Sequence, residues 1–136
     1  MNIDKYKQQH VQILSNIAAL RKLTHEGVKQ NANEITALIA SMSSVIKIHL
    51  AIEDRILYPT LRLKENADIA RLGMAYQEEM KGIASSYIAF SRRWNTAVEL
   101  IAHPEKFRDE ANVVLKTVHA RIVKENTKFY PAIEAA

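Results

Sequence analysis

His49 and Glu53 stand four residues apart in the stretch His49-Leu50-Ala51-Ile52-Glu53-Asp54-Arg55-Ile56-Leu57-Tyr58-Pro59. On a helix this spacing puts both side chains on one face, one turn apart. An imidazole and a carboxylate converging on one point are a good ligand pair for iron, manganese or zinc. A near-copy closes the chain: Arg121-Ile122-Val123-Lys124-Glu125-Asn126-Thr127-Lys128-Phe129-Tyr130-Pro131. Aligned on Tyr-Pro, both stretches have a glutamate followed by an acid or its amide (Asp54, Asn126), and a large apolar residue before the tyrosine. One turn ahead of the glutamate the first has His49 and the second has Arg121.

An HxxxE pair also arises on solvated helix faces. Here Met42, Val45, Ile46, His49, Glu53 and Ile56 fall on one stripe at spacings of three and four. That places His49 and Glu53 inside, where unpaired polar groups are costly. His10, Arg121 and Glu125 also fall on inner stripes, and Glu79 lies at the edge of one, beside Met80. His10 alone fits a satisfied core histidine as well as a ligand, and it gains weight from its company. His119 is about a quarter-turn off its stripe and would become a ligand only through a local shift of its helix. His25, next to Gly27, reads as a helix C-terminal histidine favoured by the dipole, and His103, before Pro104, as a solvent-facing loop residue. Tyr58 and Tyr130 read as packing residues that close the end of the fold.

The elements that must position these residues follow from apolar periodicity. The pattern predicts helices over 4–25, 33–62, 66–93 and 105–129, with a short helical piece over 96–102. Asn2 or Asp4 can cap the first helix and Asn66 the third. Gly27 ends the first, and Pro104 suits the first position of the last. Pro59, which lacks an amide hydrogen, is expected to bend or fray the last turn of the second helix. Four amphipathic helices with short links predict an all-α, antiparallel up-down-up-down four-helix bundle, a single domain over 1–136 with a weak internal duplication of a helical hairpin.

Composition narrows the function classes. Of 136 residues, 48% are apolar and 25% charged, as in ordinary globular proteins. With no cysteine, disulfides, thiolate metal sites and cysteine nucleophiles are excluded. The formal charge of +4 is spread along the chain, with no basic run interleaved with aromatics, so no nucleic-acid partner is expected. The first ten residues lack a signal-peptide core, and no apolar run approaches the roughly 20 residues that span a bilayer. A cytoplasmic protein without a membrane partner is the expectation. No catalytic constellation is readable, so an enzyme is not expected.

His10, the His49-xxx-Glu53-Asp54-xx-Leu57-Tyr58-Pro59 stretch and the copy ending Glu125-Asn126-xx-Phe129-Tyr130-Pro131 resemble the hemerythrin-like, or HHE cation-binding, family over nearly the whole chain. The resemblance implies an antiparallel four-helix bundle that holds non-haem iron among histidines and bridging carboxylates, and a role in oxygen or redox sensing or iron handling. It implies metal ligands at His10, His49, Glu53 and Glu125. Two family histidine positions carry Met80, after Glu79, and Arg121. A thioether is a poor ligand for hard iron, and a guanidinium stays protonated. Two outcomes compete. In one, Glu79 and His119 complete a smaller or carboxylate-richer site for di-iron, mononuclear iron or another divalent metal, open to dioxygen or another small ligand, with Arg121 orienting a carboxylate beside it. In the other, Arg121 lies between Glu53 and Glu125 in a metal-free bundle that acts as an interaction or ligand-sensing module.

Overall fold

Residues 2–136 are described by a computed structural model, and all regular structure among them is helical. We number the helices α1 (Asp4–Glu26), α2 (Ala32–Arg62), α3 (Ala67–Arg93), α4 (Ala97–Ala102) and α5 (104–135). The long helices pack side by side in a closed ring, α1 and α3 each lying against both α2 and α5, while short α4 packs against α2 and α5.

Local chemistry sets the ends. The Asn2 side chain accepts from the Asp4 amide at 2.9 Å, and Asn66 accepts from the amides of Asp68 and Ile69. These three bonds satisfy amides that have no partner within their own helix. Pro104 occupies the first turn of α5, as expected. Gly27 closes α1 with a positive φ of 148°, and its amide bonds to Leu23 O. Asn31 does not cap α2. Its side-chain amide instead donates to the Gly27 and Leu23 carbonyls, covering the C-terminal end of α1.

Both Tyr-Pro copies carry the same local irregularity. Neither proline frays its helix. The chain widens into a π turn at Glu53–Leu57 and again at Glu125–Phe129, closed by Tyr58 N–H to Glu53 O and Tyr130 N–H to Glu125 O. The prolines follow directly, in the first turn of the resumed α-helix, where a missing amide hydrogen costs least. So α5 runs past the expected end at Phe129 as far as Ala135. The extra residue in the turn also corrects the inner stripe: Ile56 is 54% exposed, and Leu57, Tyr58 and Leu61 are buried instead, matched in the copy by Phe129, Tyr130 and Ile133.

The core has two apolar clusters with a polar layer between them. One contains Ile13, Ile46, Tyr87, Val118 and Ile122; the other contains Tyr6, Leu57, Tyr58, Tyr76, Phe129 and Tyr130. Between them lie His10, His49, Glu53, Arg121 and Glu125, each at most 2% exposed. Gly73 lets α3 approach Leu61, since a Cβ there would lie 3.1 Å from its side chain. One expectation is corrected: α2 contains an apolar window long enough to cross a bilayer by length and composition. In this fold one face of α2 forms core and carries His49 and Glu53.

Two glycine substitutions should move stability in opposite directions. Gly27→Ala forces a side chain into a positive-φ position and should cost about 1–3 kcal/mol. Gly82→Ala adds a methyl group with nothing within 4 Å and should gain up to about 1 kcal/mol in a helix interior. Urea unfolding of the two variants beside the parent chain measures both.

Candidate metal centre

The polar layer is built from three helices. His10 comes from the first half of α1, His49 and Glu53 from the turn leading into the first π turn, and Arg121 and Glu125 from the same place in its copy. The Nε2 atoms of His10 and His49 face each other at 3.2 Å. Glu125 Oε1 lies 3.0 Å from His10 Nε2 and 4.0 Å from His49 Nε2. One ligand atom from each of these three residues falls within 4.8 Å of the others. Glu53 joins through His49, its Oε1 2.9 Å from His49 Nε2.

The far side of each imidazole fixes its orientation. His10 Nδ1 is 2.7 Å from Asn126 Oδ1, and His49 Nδ1 is 2.7 Å from Gln9 Oε1. An amide oxygen only accepts, so each Nδ1 carries a hydrogen and donates it. Both Nε2 atoms therefore point into the cluster; without a metal that of His49 carries a hydrogen toward the carboxylates, and its loss would free a lone pair for a cation. Histidine ligands are oriented in this way by partners behind them. Two tyrosines complete the surround. The Tyr130 hydroxyl is 3.1 Å from His10 Nε2, and the Tyr58 hydroxyl donates to Glu53 Oε2 at 3.3 Å. Both are buried packing residues, as expected from the sequence, and both also touch the centre. Gln9 and the tyrosine hydroxyls carried no signal in the sequence as site residues. Asn126 stood out only as the amide matching Asp54 in the repeated stretch and was not expected at the site.

Arg121 sits beside the cluster. Its guanidinium donates to Glu125 Oε2 at 3.2 Å, to the Tyr76 carbonyl at 2.8 Å and to Glu79 Oε1 at 3.2 Å, and it stacks 4.6 Å from the Tyr76 ring centre. It therefore pairs with Glu125 and Glu79, not between Glu53 and Glu125. Glu79 is half-exposed, bonds Lys124 as well, and lies on the outer side of Arg121 rather than among the converging atoms. His119 is half-buried and stands outside the cluster, because α5 makes no shift that would bring it in. His25 and His103 are exposed.

Burial disfavours the charged form of His49, but the facing Glu125 and Glu53 carboxylates outweigh it and raise the imidazole from 6.5 to about 9. Burial likewise works against ionised Glu125, yet hydrogen bonding to His10 and His49 and the charge of Arg121 bring it down from 4.5 to about 2. Glu53 is raised, by burial first and by the charge of Glu125 second. The metal-free centre thus balances an ionised Glu125 with a proton on His49, and a bound cation would take that proton's place.

These features define an all-helical protein with a buried cluster of imidazoles and carboxylates able to hold a metal cation. Residues 1–133 match the hemerythrin HHE cation binding domain, and the chain belongs to that family. No match was found among curated proteins, and none among solved structures.

The shifts set the pH dependence of the metal-free chain. The folded value of His49 lies above its ordinary 6.5. Its stabilisation is therefore full below 6.5 and is lost as pH rises through about 9. Glu125 is depressed, so its contribution is present above 4.5 and is lost as pH falls through about 2. Glu53 is raised and opposes folding once the pH passes 4.5. Urea midpoints measured with chelator present should fall between pH 6.5 and 9, and His49→Gln should flatten that alkaline slope.

Proposed function

We propose that the chain is a hemerythrin-like protein that holds non-haem iron, or another divalent metal, between its helices and uses it in oxygen or redox sensing or in iron handling. We infer an antiparallel up-down-up-down arrangement of the four long helices, supported by their ring of contacts and short links. The observation that carries the reading is the pair of imidazoles whose Nδ1–H groups are tied to Gln9 and Asn126, so that both Nε2 atoms meet carboxylate oxygens at one point.

The donor set fits a metal. Glu53 Oε1 is fully buried 2.9 Å from His49 Nε2, and two carboxylates buried in one layer are costly unless cations balance them. His10, His49, Glu53 and Glu125 would hold the ion. Two nitrogens and carboxylate oxygens suit iron, manganese or zinc. Bound iron would supply a redox couple and an affinity for small ligands. The chain's own groups do the rest. Gln9 and Asn126 hold the imidazoles in the binding tautomer, Tyr58 orients Glu53, and the apolar clusters exclude bulk water. Beside the cluster lies a cavity of about 20 Å³, walled by Ile13, Ile46, Met80, Ile83 and Tyr87 among others. It has room for about one water molecule.

Metal analysis of protein from iron-supplemented cells, followed by anaerobic Fe(II) titration of the chelated chain, tests this function. Stoichiometric metal is expected, with His49→Ala losing it while keeping its helical circular dichroism. Gln9→Leu and Asn126→Leu should each weaken binding by about 10- to 100-fold. A parent chain that takes up no metal would sink the proposal.

A further inference from the structure

Accepting the metal-centre reading, on which this inference rests, we propose that the Arg121 guanidinium occupies the place of a second cation, so that the centre takes one divalent metal ion per chain and rejects a second.

The internal duplication shows what Arg121 replaces. His49, Glu53, Leu57 and Tyr58 correspond to Arg121, Glu125, Phe129 and Tyr130, and all eight side chains are buried around matching π turns. The first copy directs an imidazole nitrogen toward its glutamate. The second directs a fixed positive charge toward its own, at the same i,i+4 spacing. Glu125 is shared as a bridging carboxylate would be: Oε1 faces the His10 nitrogen at 3.0 Å, and Oε2 accepts from Arg121 at 3.2 Å.

The surroundings of Arg121 suit an organic cation better than a metal ion. Its other bonds go to the Tyr76 carbonyl and to Glu79, and its flat face lies over the Tyr76 ring. A planar guanidinium stacks and forks in this way. The part of α3 that lines the cavity beside the cluster is Met80, Ile83, Ala84 and Tyr87. It offers no imidazole and no carboxylate. A second ion placed beyond Glu125 would find one carboxylate oxygen already in use and a positive charge next to it, in a region where water does not screen their repulsion.

Charge balance leads to the same count. One divalent ion neutralises Glu53 and Glu125. Arg121 is then balanced by Glu79, whose other oxygen pairs with Lys124. A second divalent ion would leave the layer with two uncompensated positive charges.

The test is metal stoichiometry. The chelated chain is loaded anaerobically with excess Fe(II), desalted and analysed for metal. A portion is oxidised and examined by electron paramagnetic resonance, where isolated high-spin Fe(III) gives a signal that a coupled ferric pair does not. One iron per chain with the isolated-ion signal is expected. The Arg121→His/Met80→His double variant, which adds a nitrogen donor on each of two helices, should rise to two with loss of that signal. Two irons in the parent chain would overturn this inference and leave the metal centre standing, whereas no iron would overturn both. One iron in both parent and a folded double variant would show that Arg121 does not set the count, and would also overturn it. If the double variant does not fold, the Arg121→His single variant is loaded and counted in its place, with the same two readings.

Discussion

Two carboxylates buried in one layer of a helical protein set the terms for everything around them. Glu53 and Glu125 have essentially no contact with water, and each raises the cost of ionising the other. The neighbouring groups answer that problem in turn. Two imidazoles face the oxygens, a guanidinium takes one oxygen of Glu125, and a tyrosine donates to Glu53. Removing one partner from such an arrangement typically costs about 3–5 kcal/mol, because the remaining charge stays buried. The apolar clusters above and below the layer provide the burial that keeps it shut.

The layer is oriented from outside itself. Gln9 precedes His10 on α1 yet serves His49 on α2, and Asn126 follows Glu125 on α5 yet serves His10 on α1. In this way α1 fixes the donor on α2, and α5 fixes the donor on α1. The geometry of the centre is in this sense a property of how the helices meet. A change in packing at one seam would reach the ligand atoms of two helices.

How much of this was legible in the sequence depended on whether the signal lay along one helix or between helices. Period-3.6 stripes predicted the helices and the inward faces of His10, His49, Glu53, Arg121 and Glu125, because burial repeats every three to four residues along a single element. Caps at Asn66 and Pro104 were equally local. Partnerships across helices left no such trace. That Arg121 would turn toward Tyr76 and Glu79, or that Gln9 would reach His49, depends on side-chain reach between elements. The stripe failed at Ile56 for a different reason. Pro59 was expected to bend or fray the last turn of α2, whereas the helix absorbs it by widening one turn, and that inserts a residue into the count.

The two π turns work as phase shifts in otherwise regular screws. One residue subtends about 100° of an α-helix, so a helix lacking the extra residue would present its downstream part turned by that amount. Glu53 and Glu125 lie at the start of each turn and would keep their direction. Tyr58 and Tyr130, five residues on, would swing away, and Leu61 and Ile133 would leave the core with them. The carboxylates and the phenols that touch the same centre are thus separately adjustable, the first by the helix axis and the second by the length of a single turn.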